Sequence, residues 1–311
     1  MKPQPIITVV GSFAVGMTIR SDRIPVIGET LLGRDFDMGP GGKGSNQAVG
    51  VAKLGAKSYF AGIIGNDKLG EIAIDLYVRE GVDTTYMIKT DKSATGVGII
   101  MLNELGQNCI ILDMGANKLM DSNFVDNIED QIAKSDLIMS VLEIPVAAAG
   151  RAMEIGKKYN KRTILNPAPA NKLSPEILKN VDYLTPNETE LRILLGLPPD
   201  DPTPDLELAK RAQSYDVKNV IVTRGEKGVL VLTENDCFEV EPIHVDVVDT
   251  TGAGDAFNAG LAVSLAEGTS LKKACQFANC AGAIECQKMG VIPAMGDRES
   301  ITKLFNQVYG Q

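Results

Sequence analysis

The chain has 311 residues, of which 44% are hydrophobic and 5% aromatic, and its formal net charge is −9 at pH 7. This length and apolar content allow a large buried core, and the negative charge argues against a broad nucleic-acid-binding surface. The apolar stretch near the N-terminus, residues 6–10, is too short for a signal peptide or a membrane span, so we expect a cytoplasmic protein with neither nucleic acid nor membrane as partner.

Short apolar runs alternate with longer amphipathic stretches along most of the chain, which predicts strands alternating with helices. Such alternation is typical of an α/β fold with a doubly wound, mostly parallel sheet and helices on both faces. The predicted strands are 6–10, 58–64, 137–142, 163–165, 183–184, 220–223 and 229–233. The predicted helices are 46–54, 70–80, 122–133, 146–159, 206–215, 256–267 and 271–286.

Two segments interrupt this alternation. Residues 30–38 and 96–114 have the pattern of extended β structure, and the second contains a turn near 103–107. We expect them to form a small separate sheet. The surface loop at 197–204 does not mark a domain boundary, because the alternation resumes after it.

The segment DTTGAGDAF, residues 249–257, leads a glycine-rich loop into a helix. Glycines let backbone amides approach an anion closely, and a helix N-terminus supplies free N–H groups and partial positive charge. Asp255 falls in the first helical turn, where a carboxylate can take a proton from an attacking hydroxyl or can simply cap the helix. The loop matches neither a Walker A motif nor a dinucleotide-binding fingerprint.

A second glycine-rich loop, GPGGKGSNQA at residues 39–48, also leads into a helix. Gly41 and Gly42 would allow a polyhydroxyl ligand to approach, and Lys43, Ser45 and Asn46 offer hydrogen-bond donors. A tight turn with a solvated lysine explains the same residues equally well. Polar residues also follow several predicted strands, which favours a site at the carboxyl edge of the sheet: Glu143, Asn166, Asn187 and Arg224.

Together these segments resemble the paired signatures of the ribokinase-like (PfkB-type) carbohydrate kinases, most nearly those of the ribokinases within that family. The segments NPAP at 166–169, TPNETE at 185–190 and TRGEKG at 223–228 are similar to further family motifs. The resemblance extends from about residue 10 to 293. It implies one ribokinase-like α/β domain over 1–311, with a β lid built from about 14–38 and 95–115. It also implies an ATP-dependent sugar kinase that uses Mg²⁺ and K⁺ and forms a homodimer through the lid.

The resemblance also implies roles for individual residues. Asp255 would be the general base, with the amides of Gly252, Ala253 and Gly254 stabilising the transferring phosphoryl group. The sugar would contact Gly42, Lys43, Gly44, Ser45, Asn46 and Glu143, besides Asp255. The nucleotide would contact Asn187, Thr223, Arg224, Gly225, Glu226, Lys227, Gly228, Gly254 and Asn279. Mg²⁺ would be held through water by Asn187 and Glu190. A monovalent cation would be held, mostly through backbone, by Asp249, Thr251, Glu285, Lys288, Gly290 and Ala294.

One segment departs from the ribokinase pattern Gly-Ser-x-Asn-x-Asp, because here Ala14 and Gly16 stand at the Asn and Asp positions. We therefore expect a roomier, less polar sugar pocket, with ribose a poor substrate relative to a bulkier or anionic one. An arginine near the lid, Arg20, Arg23 or Arg34, could pair with a carboxylate of such a substrate. The alternatives are a fructokinase, a sugar-acid kinase, a nucleoside kinase, or a catalytically idle sugar-binding or regulatory protein on this fold.

Overall fold

The computed structural model describes residues 3–104 and 107–310. The strands are β1 (Ile6–Val10), β2 (Ala14–Arg20), β3 (Arg34–Gly41), β4 (Lys57–Gly65), β5 (Asp83–Thr90), β6 (Gly96–Leu102), β7 (Asn108–Asp113), β8 (Leu137–Val141), β9 (Arg162–Asn166), β10 (Tyr183–Leu184), β11 (Asn219–Thr223), β12 (Val229–Leu232) and β13 (Cys237–Val240).

The α-helices are α1 (Lys43–Lys53), α2 (Lys68–Glu80), α3 (Ser122–Asp126), α4 (Glu129–Lys134), α5 (Val146–Lys158), α6 (Pro175–Leu178), α7 (Glu188–Leu194), α8 (Asp205–Gln213), α9 (Ala253–Ala266), α10 (Leu271–Glu285), α11 (Val291–Ala294) and α12 (Arg298–Tyr309). Short 3-10 turns cover Gly115–Leu119 and Gly225–Lys227. In the described part of the chain, no helix is both long and apolar enough to cross a lipid bilayer.

The large sheet has the strand order β13-β12-β11-β10-β9-β8-β1-β4-β5. Its strands are parallel from β11 to β5, and β12 and β13 are antiparallel additions at one edge. The chain starts at the central strand β1, continues to β4 and β5 on one side, and returns to β8 on the other. The order therefore reverses between β1 and β8, and ligands of open α/β sheets bind outside the carboxyl ends of strands at such a point.

Helices cover both faces of this sheet, as the sequence predicts. Along β1, Ile7 and Val9 point into a core cluster shared with α1, α9 and α10, whereas Val10 belongs to the cluster under α5 and α8. All three side chains are fully buried. Burying each such side chain contributes about 1.5–3 kcal/mol, which explains why the central strand is apolar at consecutive positions.

Several elements differ from the sequence-based expectation. The helix predicted over 122–133 is two helices, because the chain leaves helical geometry at Ile128 (φ −110°, ψ 12°), where the side chain is buried in the core. The half-exposed edge strand β5, the short strand β13 and helices α7 and α12 were not predicted. Each is partly polar or short, so its hydrophobic period is weak.

A second, four-stranded sheet has the order β3-β2-β6-β7 and is called the small sheet below. Within it β2 and β6 are parallel, and the outer pairs are antiparallel. The predicted extended segments fall here, although β3 begins at Arg34 rather than at residue 30. The predicted turn at 103–107 includes positions 105 and 106, which lie outside the described residues.

Candidate active site

The N-termini of α1 and α9 converge on the carboxylate of Asp255, which is buried. Asn46 Nδ2 donates to Asp255 Oδ2 over 2.8 Å, and Gln47 Nε2 donates to Asp255 Oδ1 over 3.0 Å. The two helices approach closely at Gly50, where an added Cβ would lie 2.6 Å from the Cβ of Ala259. Glycine at position 50 therefore allows the two glycine-rich loops to meet.

The start of α9 is open toward solvent. Gly252 has φ 86° at the N-cap and Gly254 is exposed. The Ala253 amide reaches the carbonyl of Thr250 over 3.3 Å, and the first bond of the helix is from the Ala256 amide to the Gly252 carbonyl. The amides of Gly254 and Asp255 lie between these two bonds. Like other amides at a helix N-terminus, they have no carbonyl partner within the helix and can face an anion.

The start of α1 packs directly on the segment after β1. Gly42 has φ 89°, and an added Cβ there would lie 2.8 Å from the Ala14 nitrogen. An added Cβ on Gly44 would lie 2.4 Å from the Ser12 nitrogen, which real structures do not tolerate. These two glycines therefore set the close approach between the loop and β1 that places Lys43 at the reversal point of the sheet.

Glu143, two residues beyond β8, ties these segments together. Its Oε2 accepts from Ser12 Oγ over 2.6 Å and from the Lys43 amide over 2.7 Å. Burial raises the pKa of Glu143, while the ammonium group of Lys43 opposes that rise. The charge of Asp255 raises the pKa of Lys43 despite burial, with smaller contributions from Glu143 and Glu190. One cation thus balances three neighbouring carboxylates.

A network of hydrogen bonds between side-chain amides and hydroxyls extends from Gln47 and fixes the surroundings of Asp255. Gln47 Nε2 also donates to Asn166 Oδ1 over 3.1 Å, and Asn166 Nδ2 donates to the Thr185 carbonyl over 3.0 Å. Thr185 Oγ1 donates to Asn258 Oδ1, whose Nδ2 donates to the Gly254 carbonyl. This network joins α1, β9, β10 and α9, so that the orientation of Asp255 depends on four elements.

Asn187 and Glu190 form a reciprocal cap on α7. The Glu190 amide donates to Asn187 Oδ1 over 2.7 Å, and the Asn187 amide donates to Glu190 Oε2 over 2.8 Å. Burial raises the pKa of Glu190, and the hydrogen bond from Asn187 and the charge of Lys43 oppose that effect. The cap accounts for one carboxylate oxygen of Glu190 and fixes the side chain near the cluster around Lys43.

The residues predicted to hold a nucleotide lie at the edge formed by β11, β12 and β13. Arg224 pairs with Glu239 over 3.2 Å, and Lys227 pairs with Glu188 over 2.9 Å. Gly228 has φ 78° and closes the turn through the Arg224 amide. On the facing helix α10, Asn279 Nδ2 donates to the carbonyl of Glu241, just beyond β13. The structure therefore brings residues 223–228 and Asn279 to one edge of the sheet, whereas Asn187 lies at the start of α7 and Gly254 at the start of α9.

Residues 248–251 and 286–290, called the paired loops below, are joined by hydrogen bonds. Asp249 Oδ1 accepts from the Thr251 amide over 2.9 Å, and its Oδ2 accepts from the Gly290 amide over 3.2 Å. Burial acts to raise the pKa of Asp249, but these hydrogen bonds hold it below its usual value. The Lys288 side chain is exposed and Ala294 is buried, so only backbone of these two residues could contribute to a cation site.

The carboxylate of Glu285, at the end of α10, is wholly buried below these loops. Within residues 3–104 and 107–310, neither of its oxygens has a hydrogen-bond partner. The same residues contain no group of three or more His, Cys, Asp or Glu side chains that could hold a metal ion. Any metal site in this region would therefore depend largely on backbone oxygens or water.

Comparison with known proteins identifies the family. The chain matches the pfkB family of carbohydrate kinases over residues 5–297. The chain belongs to this family. The ribokinase of Haemophilus influenzae is 36% identical to this carbohydrate kinase over 293 residues, covering 94% of this chain and 96% of the relative. The deoxyribokinase of Salmonella typhimurium is 37% identical over 252 residues, covering 81% and 82%.

Solved structures give the same family. The ribokinase of Thermotoga maritima superimposes on the carbohydrate kinase with a TM-score of 0.88 at 35% identity, covering 97% of this chain and 99% of the other. The Arabidopsis thaliana ribokinase complexed with ribose and ATP gives a TM-score of 0.89 at 32% identity, covering 97% and 98%. The predictions of the fold class, of the family and of an ATP-dependent sugar kinase of the ribokinase type are confirmed.

The arginines near the small sheet do not reach the cluster around Asp255. Arg23 pairs with Glu29, and Arg34 pairs with Asp22 and Glu104 over 2.7 and 2.9 Å. All these pairs are substantially exposed. Arg20 places a guanidinium nitrogen 3.8 Å from the Met289 sulfur. The expectation that one of these arginines reaches into the pocket is therefore not supported, because salt bridges or the paired loops already engage their guanidinium groups.

Gln47 is the site residue that the sequence did not single out. It stands inside the second glycine-rich segment, but a glutamine near the start of a helix has no distinctive local pattern. Its contact with Asp255 joins residues 208 positions apart, and only the packing of α1 on α9 makes it visible.

Proposed function

We propose that this carbohydrate kinase transfers the γ-phosphoryl group of ATP to a hydroxymethyl group of a small sugar, with Asp255 as general base. The observation that carries the proposal is the buried Asp255 carboxylate, fixed by Asn46 and Gln47 in the first turn of α9. Both donors are neutral, so they orient the carboxylate without supplying a proton. A general base needs this fixed geometry toward the hydroxyl that it deprotonates.

In this mechanism the sugar hydroxyl oxygen attacks the γ-phosphorus, its proton passes to Asp255, and ADP leaves. The amides of Gly252, Ala253 and Gly254, of which that of Ala253 also reaches the Thr250 carbonyl, stabilise the negative charge on the transferring group together with the positive end of α9. Asn46 and Lys43 provide hydrogen-bonding groups beside the base, and Glu143 holds the Lys43 backbone in place. The nucleotide lies along the edge that carries Thr223, Gly228 and Asn279.

Mg²⁺ would neutralise charge on the ATP phosphates, and the oxygen donors of Asn187 and Glu190 suit this hard cation. Glu190 fits the role because it lies near enough to Lys43 and Asp255 for their charges to influence its pKa. The paired loops would hold a monovalent cation such as K⁺. The buried Glu285 carboxylate, which lacks a partner in the described chain, fits a positive ion there.

The pocket that faces the small sheet supports a substrate other than ribose. In the small sheet Gly39, Gly16 and Gly98 are neighbours in register, so they share one face. An added Cβ at Gly39 or Gly98 would meet no atom within 4 Å. Ala14 lies on this same face, while Val15, on the opposite face, is buried in the core. The part of this face nearest Ser12 and Glu143, formed by Ala14, Gly16, Gly39 and Gly98, is therefore open and carries no polar side chain, and the polar pair Thr18 and Asp37 follows one step further along the strands.

This open part of the face favours a bulkier neutral sugar over an anionic one, because Arg23 and Arg34 are paired elsewhere and the carboxylate of Asp37 stands on the same face. Ketohexoses such as fructose fit the roomier pocket and deoxypentoses fit the less polar one, and among the relatives both ribokinases and deoxyribokinases occur. The alternatives are a nucleoside kinase and a sugar-acid kinase, and the substrate panel described below includes both kinds of substrate. We expect ribose to be phosphorylated with lower kcat/KM than the preferred sugar.

We further propose that the small sheet is the lid of a single kinase domain and that two copies associate through it. Support comes from its many exposed apolar side chains, including Phe36 and Ile111, each 64% exposed. Contiguous exposed apolar surface of this kind marks an interaction site. The cytoplasmic location and the absence of nucleic-acid and membrane partners remain predictions.

The experiment is an ADP-release assay with ATP and Mg²⁺ against ribose, deoxyribose, fructose, a sugar acid and a nucleoside, with kcat/KM compared across the panel. We expect robust turnover with at least one neutral sugar and none without sugar. Saturable sugar binding without ADP release for any compound would contradict the proposal and favour an idle sugar-binding protein.

A further inference from the structure

The open face of the small sheet carries a polar cross-strand pair. Thr18 on β2 lies opposite Asp37 on β3, and Ile100 on β6 stands on the other side of Thr18 in the same row. The row before it, nearer the candidate site, consists of glycines: Gly39, Gly16 and Gly98. Residues two apart on a strand share a face and are about 6.6 Å apart along it. The polar pair therefore stands one step beyond position 16.

The face that carries this pair also borders the candidate site. Val15 and Met17 alternate with Gly16 along β2 and pack against the core cluster, so the face of Gly16 is the open one. At its base this face begins with Ala14, beside the N-cap of α1, where a Cβ added to Gly42 would lie 2.8 Å from the Ala14 nitrogen. The open face therefore leads from the start of α1 to the polar pair.

Asp37 brings an unneutralised charge to this face. Its carboxylate is exposed, and within residues 3–104 and 107–310 the side chain forms no hydrogen bond or ion pair. Arg34, the cation on the same strand, pairs with Asp22 and Glu104 instead. An ionised carboxylate accepts hydrogen bonds and donates none. Asp37 therefore offers free acceptors to a ligand that lies along this face.

At the other end of the pocket, a buried acceptor lacks a donor. Asn46 Nδ2 donates to Asp255, but Asn46 Oδ1 is buried and has no hydrogen-bond partner in the described part of the chain. A buried polar atom without a partner is costly, so a bound hydroxyl that donates to it is stabilising. The pocket thus has one acceptor beside the base and another at Asp37, and it suits a ligand with hydroxyl donors at both ends.

We propose that Asp37, with Thr18 beside it, determines the sugar specificity by accepting a hydrogen bond from the end of the sugar remote from the phosphorylated hydroxymethyl group, and that this sugar is a ketohexose. The inference rests on the proposed function and names its substrate class. In its furanose form a ketohexose has the five-membered ring of ribose with one further hydroxymethyl group, on the anomeric carbon. That group extends past the open position at Gly16 toward the polar pair, whereas ribose has no donor there.

The test compares kcat/KM for ribose with that for the ketohexoses fructose, psicose, sorbose and tagatose. We expect at least one ketohexose to exceed ribose in the wild type. For that ketohexose, Asp37→Ala should lower kcat/KM roughly 10- to 100-fold, mainly through KM, because a hydrogen bond to a charged group is lost, and the ribose value should stay within about twofold. Asp75→Ala, at an exposed position on α2, is the matched control and should change neither value.

A double variant, Gly16→Asp with Asp37→Ala, moves the acceptor back by one row. The ratio of kcat/KM for ribose to that for the ketohexose should then rise roughly 100-fold, whereas a structural defect would lower both values alike and leave the ratio unchanged.

The inference is overturned if the wild type prefers ribose to every ketohexose, or if Asp37→Ala affects ribose and ketohexose equally. Either result would leave the protein a sugar kinase. Absence of ADP release with every sugar would instead contradict the proposed function, and this inference with it.

Discussion

Asn46 Nδ2 lies 2.8 Å from Oδ2 of Asp255, so the first turn of α1 holds the carboxylate in the first turn of α9. Gln47 supplies the matching bond to Oδ1 over 3.0 Å. The proposed base is thus oriented from the segment that also offers the sugar-facing groups. Movement of α1 relative to α9 would displace the base and the sugar site together.

Gln47 is expected to be a positioning residue for Asp255. Gln47→Ala leaves Oδ1 without its donor, and hydrogen bonds to charged groups contribute about 1.5–3 kcal/mol. We expect kcat to fall roughly 10- to 100-fold, with KM for ATP little changed, because the nucleotide edge is not touched. Steady-state kinetics measure both constants, and Gln307→Ala in α12 is the control. A change in thermal stability with kcat unchanged would show that Gln47 is only structural.

Gly16 is expected to limit the use of ribose. Gly16→Asp places a carboxylate on the open face of β2, where the nearest atoms to an added Cβ are Ile100 Cδ1 at 3.7 Å and the Gly39 carbonyl at 3.8 Å. A hydrogen bond from a sugar hydroxyl should raise kcat/KM for ribose about 10-fold. Gly98→Asp, in the same register on the next strand, is the control. If both variants change ribose kinetics alike, position 16 has no special role.

The small sheet is expected to form the dimer interface. Ile111→Asp puts a charge among its exposed apolar side chains, so we expect a dimer in the wild type and a monomer in the variant by sedimentation velocity. Ile88→Asp, at a 49% exposed position on the edge strand β5 of the large sheet, should remain dimeric. A monomeric wild type would show that there is no dimer interface. Loss of the dimer only in Ile88→Asp would show that the interface lies elsewhere.

The sequence predicts the features of this fold that depend on local pattern. Apolar runs locate β1, β8 and β11, and the two glycine-rich loops locate the starts of α1 and α9. Glu143, singled out as a polar residue that follows a predicted strand, lies beside Lys43, and its contact with the sugar stays a prediction. Positive φ at Gly42 and Gly252 explains why glycine is needed at both loops.

Features that depend on long-range packing were not accessible from the sequence. Gln47 reaches Asp255 only because α1 lies on α9, and the missing partner of Glu285 becomes visible only when its surroundings are known. The common face of Gly16, Gly39 and Gly98 likewise requires the register of three strands. One of three arginines could have paired with a substrate carboxylate, but the salt bridges of Arg23 and Arg34 depend on loop conformations that the local sequence does not determine.

The general-base role of Asp255 is tested most directly by the turnover number of Asp255→Asn with the preferred sugar, alongside ATP binding by calorimetry. The substitution keeps the shape of the side chain and removes its ability to accept the proton. We predict a fall in kcat of about 10²–10⁴-fold with ATP affinity retained, and an unchanged kcat for the exposed control Asp246→Asn. If Asp255→Asn keeps more than about half of the wild-type kcat, Asp255 is not the base.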